Sequence, residues 1–189
     1  MCKILPDSVL RTQTILQTMT FTETEAQGLL AMAKISGKSE ILVNLRSPKT
    51  RTILSPQAGG DFSFLLEVTV NQKISFKISI HHQEDNTKIG LLRLDYRGIH
   101  LNPATITPNL PAAFHPYVGK MFTPDEPHIH FYVCPEDYEP LVWALPVEDW
   151  NASIKEVKNE AQLQDAFNAF SSAITYKGIL KIDPQLTIL

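Results

Sequence analysis

The sequence predicts an α+β fold, in which an antiparallel β-meander sheet is packed by an N-terminal and a C-terminal helix. Three observations predict it: a helix start signal near Thr22, alternating apolar residues over 62–96, and helically spaced apolar residues between 160 and 175. Two amphipathic helices need an apolar surface to cover, and one face of the sheet supplies it.

The length and composition indicate one folded domain. A chain of 189 residues is close to the size of a single domain, and 43% hydrophobic with 20% charged residues excludes a disordered, collagen-like or coiled-coil chain. Met19 stands directly before the first helix signal. We therefore expect residues 1–18 to be a peripheral extension and residues 19–189 to form the single α+β domain.

The first predicted element is the N-terminal helix. Thr22 and Glu25 have the spacing of a capping box, and Phe21 precedes the cap, as a hydrophobic staple requires. These signals predict a helix over about residues 23–35, which Gly37 ends.

The clearest signal is the period of two between residues 62 and 96. It predicts three antiparallel strands joined as a meander, preceded by short strands at 41–45 and 52–54. In the third strand of the meander the apolar residues occupy even positions. Arg93 and Asp95 therefore lie together on the opposite face.

A proline-rich segment follows the meander. Nine of the thirteen prolines lie in residues 103–146, and proline removes the N–H group that regular structure needs. Residues 103–127 are therefore predicted to be a long ordered loop or a mobile flap. Strand character returns at 128–133 and at 141–146, and the chain closes with a helix over about 160–175.

Composition also excludes classes of function. No apolar run is long enough to cross a membrane, and the N-terminus lacks the apolar core of a signal peptide, so we expect a cytoplasmic protein without membrane contact. Cys2 and Cys134 form no C-x-x-C pair, which removes support for a disulfide framework or a zinc finger.

Charge divides unevenly along the chain. Residues 1–100 carry 12 basic against 9 acidic side chains, and residues 101–189 carry 5 against 11, which gives +3 and −6. A loose basic stretch runs from Lys34 to Arg51. It is interpreted as a solvated face, with contact to phosphate as the alternative, because a pI near 6.1 leaves no broad basic footprint.

Four of the six histidines lie between residues 100 and 130, close to other reactive side chains. On a strand, alternate residues share a face, so His128, His130 and Tyr132 are expected to point the same way. Gly98 allows a turn that carries the next residues over the same surface. The candidate site residues are Arg93, Asp95, His100, His128 and His130, with Asn102 and Tyr132 in supporting roles.

Two chemistries and one structural role fit this cluster. One histidine could accept a proton and another donate one while Arg93 neutralises phosphate charge and Asp95 orients a ring, as RNA cleavage without a metal requires. Alternatively, the alternating histidines are metal ligands, completed by Asp95, His100 or His115. In the structural interpretation, Arg93 and Asp95 form an ion pair and the histidines bond to the backbone of the proline-rich segment.

The charge of Arg93 bears on the choice between a metal ion and an anion. A guanidinium beside the site opposes cation binding and favours phosphate, sulfate or carboxylate. We therefore expect no cofactor and no stoichiometric metal, with an anion or ordered water near Arg93.

Three motifs carry a resemblance to a known family. They are R-x-D-x-x-G-x-H-x-N-P at 93–103, P-H-x-H-x-Y at 127–132 and W-A-x-P at 143–146. Over about residues 20–175 the chain resembles an uncharacterised bacterial family, a domain of unknown function found in phage-derived and other mobile-element neighbourhoods. More distantly, it is similar to toxins of toxin–antitoxin modules, some of which have ribonuclease-like folds.

Two classes of function follow. In the first, a protein of a mobile-element or toxin–antitoxin-like system acts on RNA or another phosphodiester through the Arg/Asp/His cluster. In the second, the chain is a non-enzymatic interaction module with a protein partner, and the cluster is structural. The first needs a histidine reachable by solvent. The second allows the cluster to be buried beneath the proline-rich segment, which then presents apolar residues such as Phe114, Tyr117, Met121 and Phe122.

Overall fold

The fold is described from a computed structural model, which covers residues 20–71, 77–134, 139–154 and 157–184. The predicted extension at residues 1–18 lies outside these ranges. The described part of the chain has the predicted α+β fold, with a seven-stranded antiparallel sheet as its centre.

The helices are α1 (Glu23–Ala31), α2 (Val147–Trp150), α3 (Glu160–Ala173) and a 3₁₀ helix at Ala112–Tyr117. The strands are β1 (Lys34–Ile35), β2 (Glu40–Val43), β3 (Lys49–Pro56), β4 (Phe64–Asn71), β5 (Lys77–Glu84), β6 (Ile89–Tyr96), β7 (His100–Leu101), β8 (Met121–Phe122), β9 (His128–Phe131), β10 (Ala144–Pro146) and β11 (Ile179–Ile182).

The large sheet has the order β1-β3-β4-β5-β6-β9-β10, and every neighbouring pair in it is antiparallel. The meander β4-β5-β6 forms its centre, as the alternation predicts. A parallel pair, β2 with β11, and an antiparallel pair, β7 with β8, lie outside it. The later strands β9 and β10 extend the sheet beyond β6, so the site-bearing strands β6 and β9 are direct neighbours.

One face of the sheet builds the core. Side chains at the predicted apolar positions are buried there, including Leu66, Ile80 and Leu94. Helix α3 contributes Phe167 and Phe170, both without solvent exposure. Fully burying a large apolar side chain contributes roughly 1.5–3 kcal/mol, so this face supplies much of the folding free energy.

Strand β5 extends to Glu84. It therefore includes His81 and His82. His82 lies on the core face, fully buried, with its ring 5.4 Å from that of Phe64. The two histidines are consequently strand residues.

Helix α1 is shorter than predicted. Its capping box at Thr22 and Glu25 is present, but the helix ends at Ala31 and not near Ile35. The reason is that Lys34 and Ile35 pair with β3 as strand β1. Pairing of their backbone groups competes with the helix, and the extended C-cap residue Met32 makes the transition.

Lys34 is the unexpected element of the core. Its side chain has no solvent exposure, and Nζ donates to the carbonyl groups of Leu29, Leu30, Met32 and Ile174 at 2.6–3.1 Å. These carbonyls lie at the C-terminal ends of α1 and α3, where the helix dipoles are negative. Lys34 therefore joins both helix ends and is not available to bind phosphate.

The charge state of Lys34 follows from two opposing effects. Burial lowers the pKa of Lys34 to about 7. The four carbonyl oxygens and the Phe64 ring, whose centroid is 4.6 Å from Nζ, favour the ammonium form. The side chain is therefore a charged donor at least below that pH.

The proline-rich segment is an ordered strap, defined here as residues 97–127. It contains β7, the 3₁₀ helix and β8, and its Gly98, His100 and Phe122 lie against the sheet face opposite the core. Backbone hydrogen bonds join its two arms, from Asn102 to Lys120 and from Gly119 to Pro103. The strap therefore covers the face that carries Arg93 and Asp95.

None of the helices in the described residues is long and apolar enough to cross a membrane.

Lys34→Met is expected to lower the free energy of unfolding by about 2–4 kcal/mol, because methionine fills the volume but leaves buried carbonyl groups without a donor. Urea denaturation measures this change. Lys38→Met, at an exposed position of the same basic stretch, is the matched control and should change stability by less than about 0.5 kcal/mol. Equal losses in the two variants would contradict the role given to Lys34.

Candidate functional site

The candidate site lies on two neighbouring strands. In the β6–β9 pair, Arg93 is opposite His130 and Asp95 is opposite His128. Residues directly opposite each other in an antiparallel pair share a face. The four side chains therefore meet on one surface, as the alternation of both strands predicts.

A single carboxylate oxygen is the centre of the cluster. Oδ2 of Asp95 lies 3.1 Å from Nε of Arg93, 3.4 Å from Nε2 of His130 and 3.8 Å from Nε2 of His128. Nη2 of Arg93 also contacts Nε2 of His130 at 2.8 Å. The contact from Nε of Arg93 to Asp95 is close but poorly aligned for a hydrogen bond, so it is mainly an ion pair.

Backbone carbonyls set the proton positions of both histidines. Nδ1 of His130 lies 2.8 Å from the Leu141 carbonyl, and Nδ1 of His128 lies 3.0 Å from the Glu126 carbonyl. A carbonyl oxygen only accepts, so Nδ1 is the protonated nitrogen in both rings. The Nε2 lone pairs therefore face the carboxylate of Asp95.

Burial and charge keep the imidazoles neutral and the carboxyl ionised. Burial lowers the pKa of His130 to about 4 and also lowers that of His128. For Asp95, burial opposes ionisation, but the charge of Arg93 and the Ser79 hydroxyl hold its pKa well below the usual range. At neutral pH the cluster therefore contains bases and ligands but no protonated histidine to serve as a general acid.

Asn102 and His100 close the cluster from the strap. Nε2 of His100 lies 2.8 Å from the Val142 carbonyl and 3.0 Å from Oδ1 of Asn102. The His100 ring lies 4.5 Å from that of His130, and burial lowers the pKa of His100. Neutral His100 therefore packs on the cluster while Nε2 bonds elsewhere.

Gly98 allows the strap to approach this closely. A β-carbon at that position would lie 3.2 Å from Cβ of Asp95 and 3.3 Å from Cε1 of His128. Such spacing is tighter than ordinary contact, so a side chain there would force the strap away from the sheet. Glycine at the predicted turn therefore lets the strap lie directly against the cluster.

Tyr132 is not part of this arrangement, contrary to expectation. Strand β9 ends at Phe131, and the alternation that would align Tyr132 with the histidines does not continue past that end. The Tyr132 hydroxyl donates to the Phe21 carbonyl before α1, and its ring belongs to the hydrophobic core. Its role is packing and hydrogen bonding at the start of α1.

His81 is a further neighbour of the cluster and is absent from the residues that the sequence pattern predicts. It lies opposite Arg93 in the β5–β6 pair and therefore on the same face as the cluster. The signal was present in the sequence, because Ile78 and Ile80 alternate toward the core and leave odd positions on the other side.

Access to the cluster is restricted. His128 and His130 have no exposed surface and Asp95 is 5% exposed, whereas the side chain of Arg93 is 33% exposed. Arg93 and His100, both half-buried, are thus the members of the cluster with solvent exposure. Of the apolar strap residues expected at the surface, Phe114 and Phe122 are buried instead, because their rings pack on Trp143 and His128.

The neutral state of His130 predicts a pH dependence of stability. Its folded pKa is about 4, below the usual 6.5, so on acidification the unfolded chain takes up the proton first and stability falls from about pH 6.5 toward pH 4. This one group contributes a loss of about 2 kcal/mol between pH 7 and pH 5.

Urea denaturation at pH 7, 6 and 5 tests this prediction with His130→Gln. The variant should lose about 2 kcal/mol less than the natural chain over that range, because glutamine does not titrate. The same pH dependence in both proteins would mean that His130 is not held neutral.

The comparison with known proteins gives a family but no activity. No curated protein and no solved structure matches the chain significantly. The profile of a family of unknown function, DUF6978, matches residues 21–176, which include α1, the whole large sheet, the strap and α3. The chain therefore belongs to the family of unknown function DUF6978.

Proposed function

We propose that the chain is a protein-interaction module, in which the Arg/Asp/His cluster holds the strap and the strap presents the binding surface. The observation that carries this proposal is the pairing of β7 with β8. Its inward residues, His100 and Phe122, pack on the cluster, whereas the outward pair, Leu101 and Met121, is exposed.

The outward face of the strap is apolar. Leu101 is 55% exposed and lies directly opposite Met121, which is 49% exposed. Ile99, two residues before Leu101, is 71% exposed. Adjacent exposed apolar side chains on one face are typical of surfaces that bind another protein. We therefore take Ile99, Leu101 and Met121 as the contact surface, called the strap patch below.

The competing function is action on RNA or another phosphodiester. It needs a histidine in contact with substrate and a group able to protonate the leaving oxygen. His128 and His130 are closed to solvent, and their pKa values are lowered. Arg93, which is half-buried, is already paired with Asp95. Catalysis at this cluster would thus require the strap to lift, and the interaction hypothesis requires no such step.

The chemistry of the strap patch suggests a partner with an apolar surface. The resemblance to proteins of phage-derived and toxin–antitoxin-like systems supplies a first candidate, namely the product of an adjacent gene. In this proposal the bacterial, mobile-element setting determines which partner is present, and the strap patch determines how it binds.

A double variant, Leu101→Lys with Met121→Lys, is expected to weaken partner binding while the fold is retained, because charges replace the apolar contact. Co-purification of the tagged chain with the adjacent gene product, followed by calorimetry on the purified pair, measures this. A loss of at least about tenfold in affinity corresponds to about 1.4 kcal/mol or more and is the expected result.

Ile53→Lys is the matched control, since Ile53 is equally exposed, at 51%, but lies on β3. It should bind the partner like the natural chain. Binding unaffected by the double variant would contradict the proposed surface. In parallel, growth arrest on expression of the natural chain, relieved by His130→Ala, together with RNA cleavage by the purified protein, would favour the enzymatic function instead.

A further inference from the structure

We propose that Asp95, His128 and His130 form a binding site for a divalent transition-metal ion such as Zn²⁺, and that the Arg93 guanidinium occupies the ion's position when no ion is bound. The site goes beyond partner binding, because its three ligands lie on sheet strands β6 and β9 and none of them belongs to the strap patch.

The donor atoms have the separations of ligands on one ion. One nitrogen from each histidine and one oxygen from Asp95 all lie within 4.8 Å of one another. Two ligands of a tetrahedral zinc ion are roughly 3.3 Å apart. The distances from Oδ2 of Asp95 to Nε2 of His130 and His128, at 3.4 and 3.8 Å, approach this value.

The histidines are oriented as metal ligands usually are. Each donates Nδ1–H to a backbone carbonyl, of Leu141 and Glu126 respectively, which fixes the ring and leaves the Nε2 lone pair free to bind an ion. The three ligands come from two paired strands, so the sheet itself sets their spacing.

Two polar atoms of the three ligand residues have no hydrogen-bond partner in the described part of the chain. Nε2 of His128 and Oδ1 of Asp95 are buried and have no hydrogen-bond partner. A buried polar atom without a partner costs about 1–3 kcal/mol, so such atoms need an explanation. A coordinated cation would bind Nε2 of His128 directly, and its charge would stabilise the buried carboxylate of Asp95.

Arg93 opposes cation binding only while it lies in the site. Its Nη2 contacts Nε2 of His130 at 2.8 Å, and its Nε lies 3.1 Å from Oδ2 of Asp95, so the guanidinium makes two of the three contacts that an ion would make. The side chain is 33% exposed and can turn toward solvent. Metal binding and the Arg93 contacts are therefore mutually exclusive, and affinity depends on this competition.

The donor set also indicates the class of ion. Two imidazoles and one carboxylate suit Zn²⁺, Co²⁺, Ni²⁺ or Fe²⁺ better than Mg²⁺ or Ca²⁺, which prefer oxygen ligands. Three protein ligands leave at least one coordination position for water or another group.

Calorimetric titration of the chelator-treated full chain with Zn²⁺ tests the proposal, and visible absorption with Co²⁺ reports the ligand geometry. We expect about one ion per chain, at least tenfold weaker binding in His128→Ala, and at least tenfold tighter binding in Arg93→Met, which removes the competing cation. His115→Ala, at an exposed histidine of the strap, is the matched control and should bind as the natural chain does.

Failure of the natural chain to bind Zn²⁺ would overturn the proposal. Binding of unchanged affinity in both His128→Ala and Arg93→Met would also overturn it, because the ion would then lie elsewhere. Arg93→Met keeps the three ligands, so it remains decisive if His128→Ala does not fold. Neither result bears on the strap patch, whose variants lie outside the three ligands.

Discussion

The side-chain amide of Asn102 is the interaction on which the covered half of the sheet depends. Asn102 is 1% exposed, and all four of its hydrogen-bonding positions are used. Nδ2 donates to the Tyr117 and Ala144 carbonyls, and Oδ1 accepts from the Ala144 N–H and from His100. One residue thus joins both arms of the strap to the sheet edge strand β10, and the cluster beneath is closed as a result.

Closure determines what the cluster can do. In water, the aspartate and the three histidines would exchange protons with solvent and could act as acids and bases beside the arginine. Beneath the strap, desolvation removes the charge from the imidazoles, and the ion pair with Arg93 keeps Asp95 ionised. In a sequence these residue types suggest catalysis. When they are buried, they form instead a network of neutral imidazoles and one arginine around a single carboxylate.

The features that sequence alone could predict are those fixed by local periodicity. The alternation through β4, β5 and β6 gives the meander and its core face, and the same parity gives the shared face of Arg93 and Asp95 with His128 and His130. Helix α3 follows from its apolar spacing, and its observed bounds, Glu160–Ala173, agree closely with the prediction.

The remaining features depend on contacts between distant residues. Lys34 is in a basic stretch but is buried because two helix ends, one of them 140 residues away at Ile174, converge on it. Tyr132 is two residues after His130, as the alternation requires for a shared face, but it lies beyond the end of strand β9. The burial of Phe114 and Phe122 depends on how the strap folds back, which proline content alone does not specify. None of these is encoded in a local pattern.

Hydrogen exchange of the strap in Asn102→Ala tests the central claim most directly. We expect the amides of Gly119 and Lys120 to exchange at least about 30-fold faster than in the natural chain, since two or more buried hydrogen bonds of about 1 kcal/mol each are lost. The amides of Leu66 and Ile80 in the central strands should keep their protection. Unchanged exchange in the strap, or equal loss across the whole sheet, would contradict it.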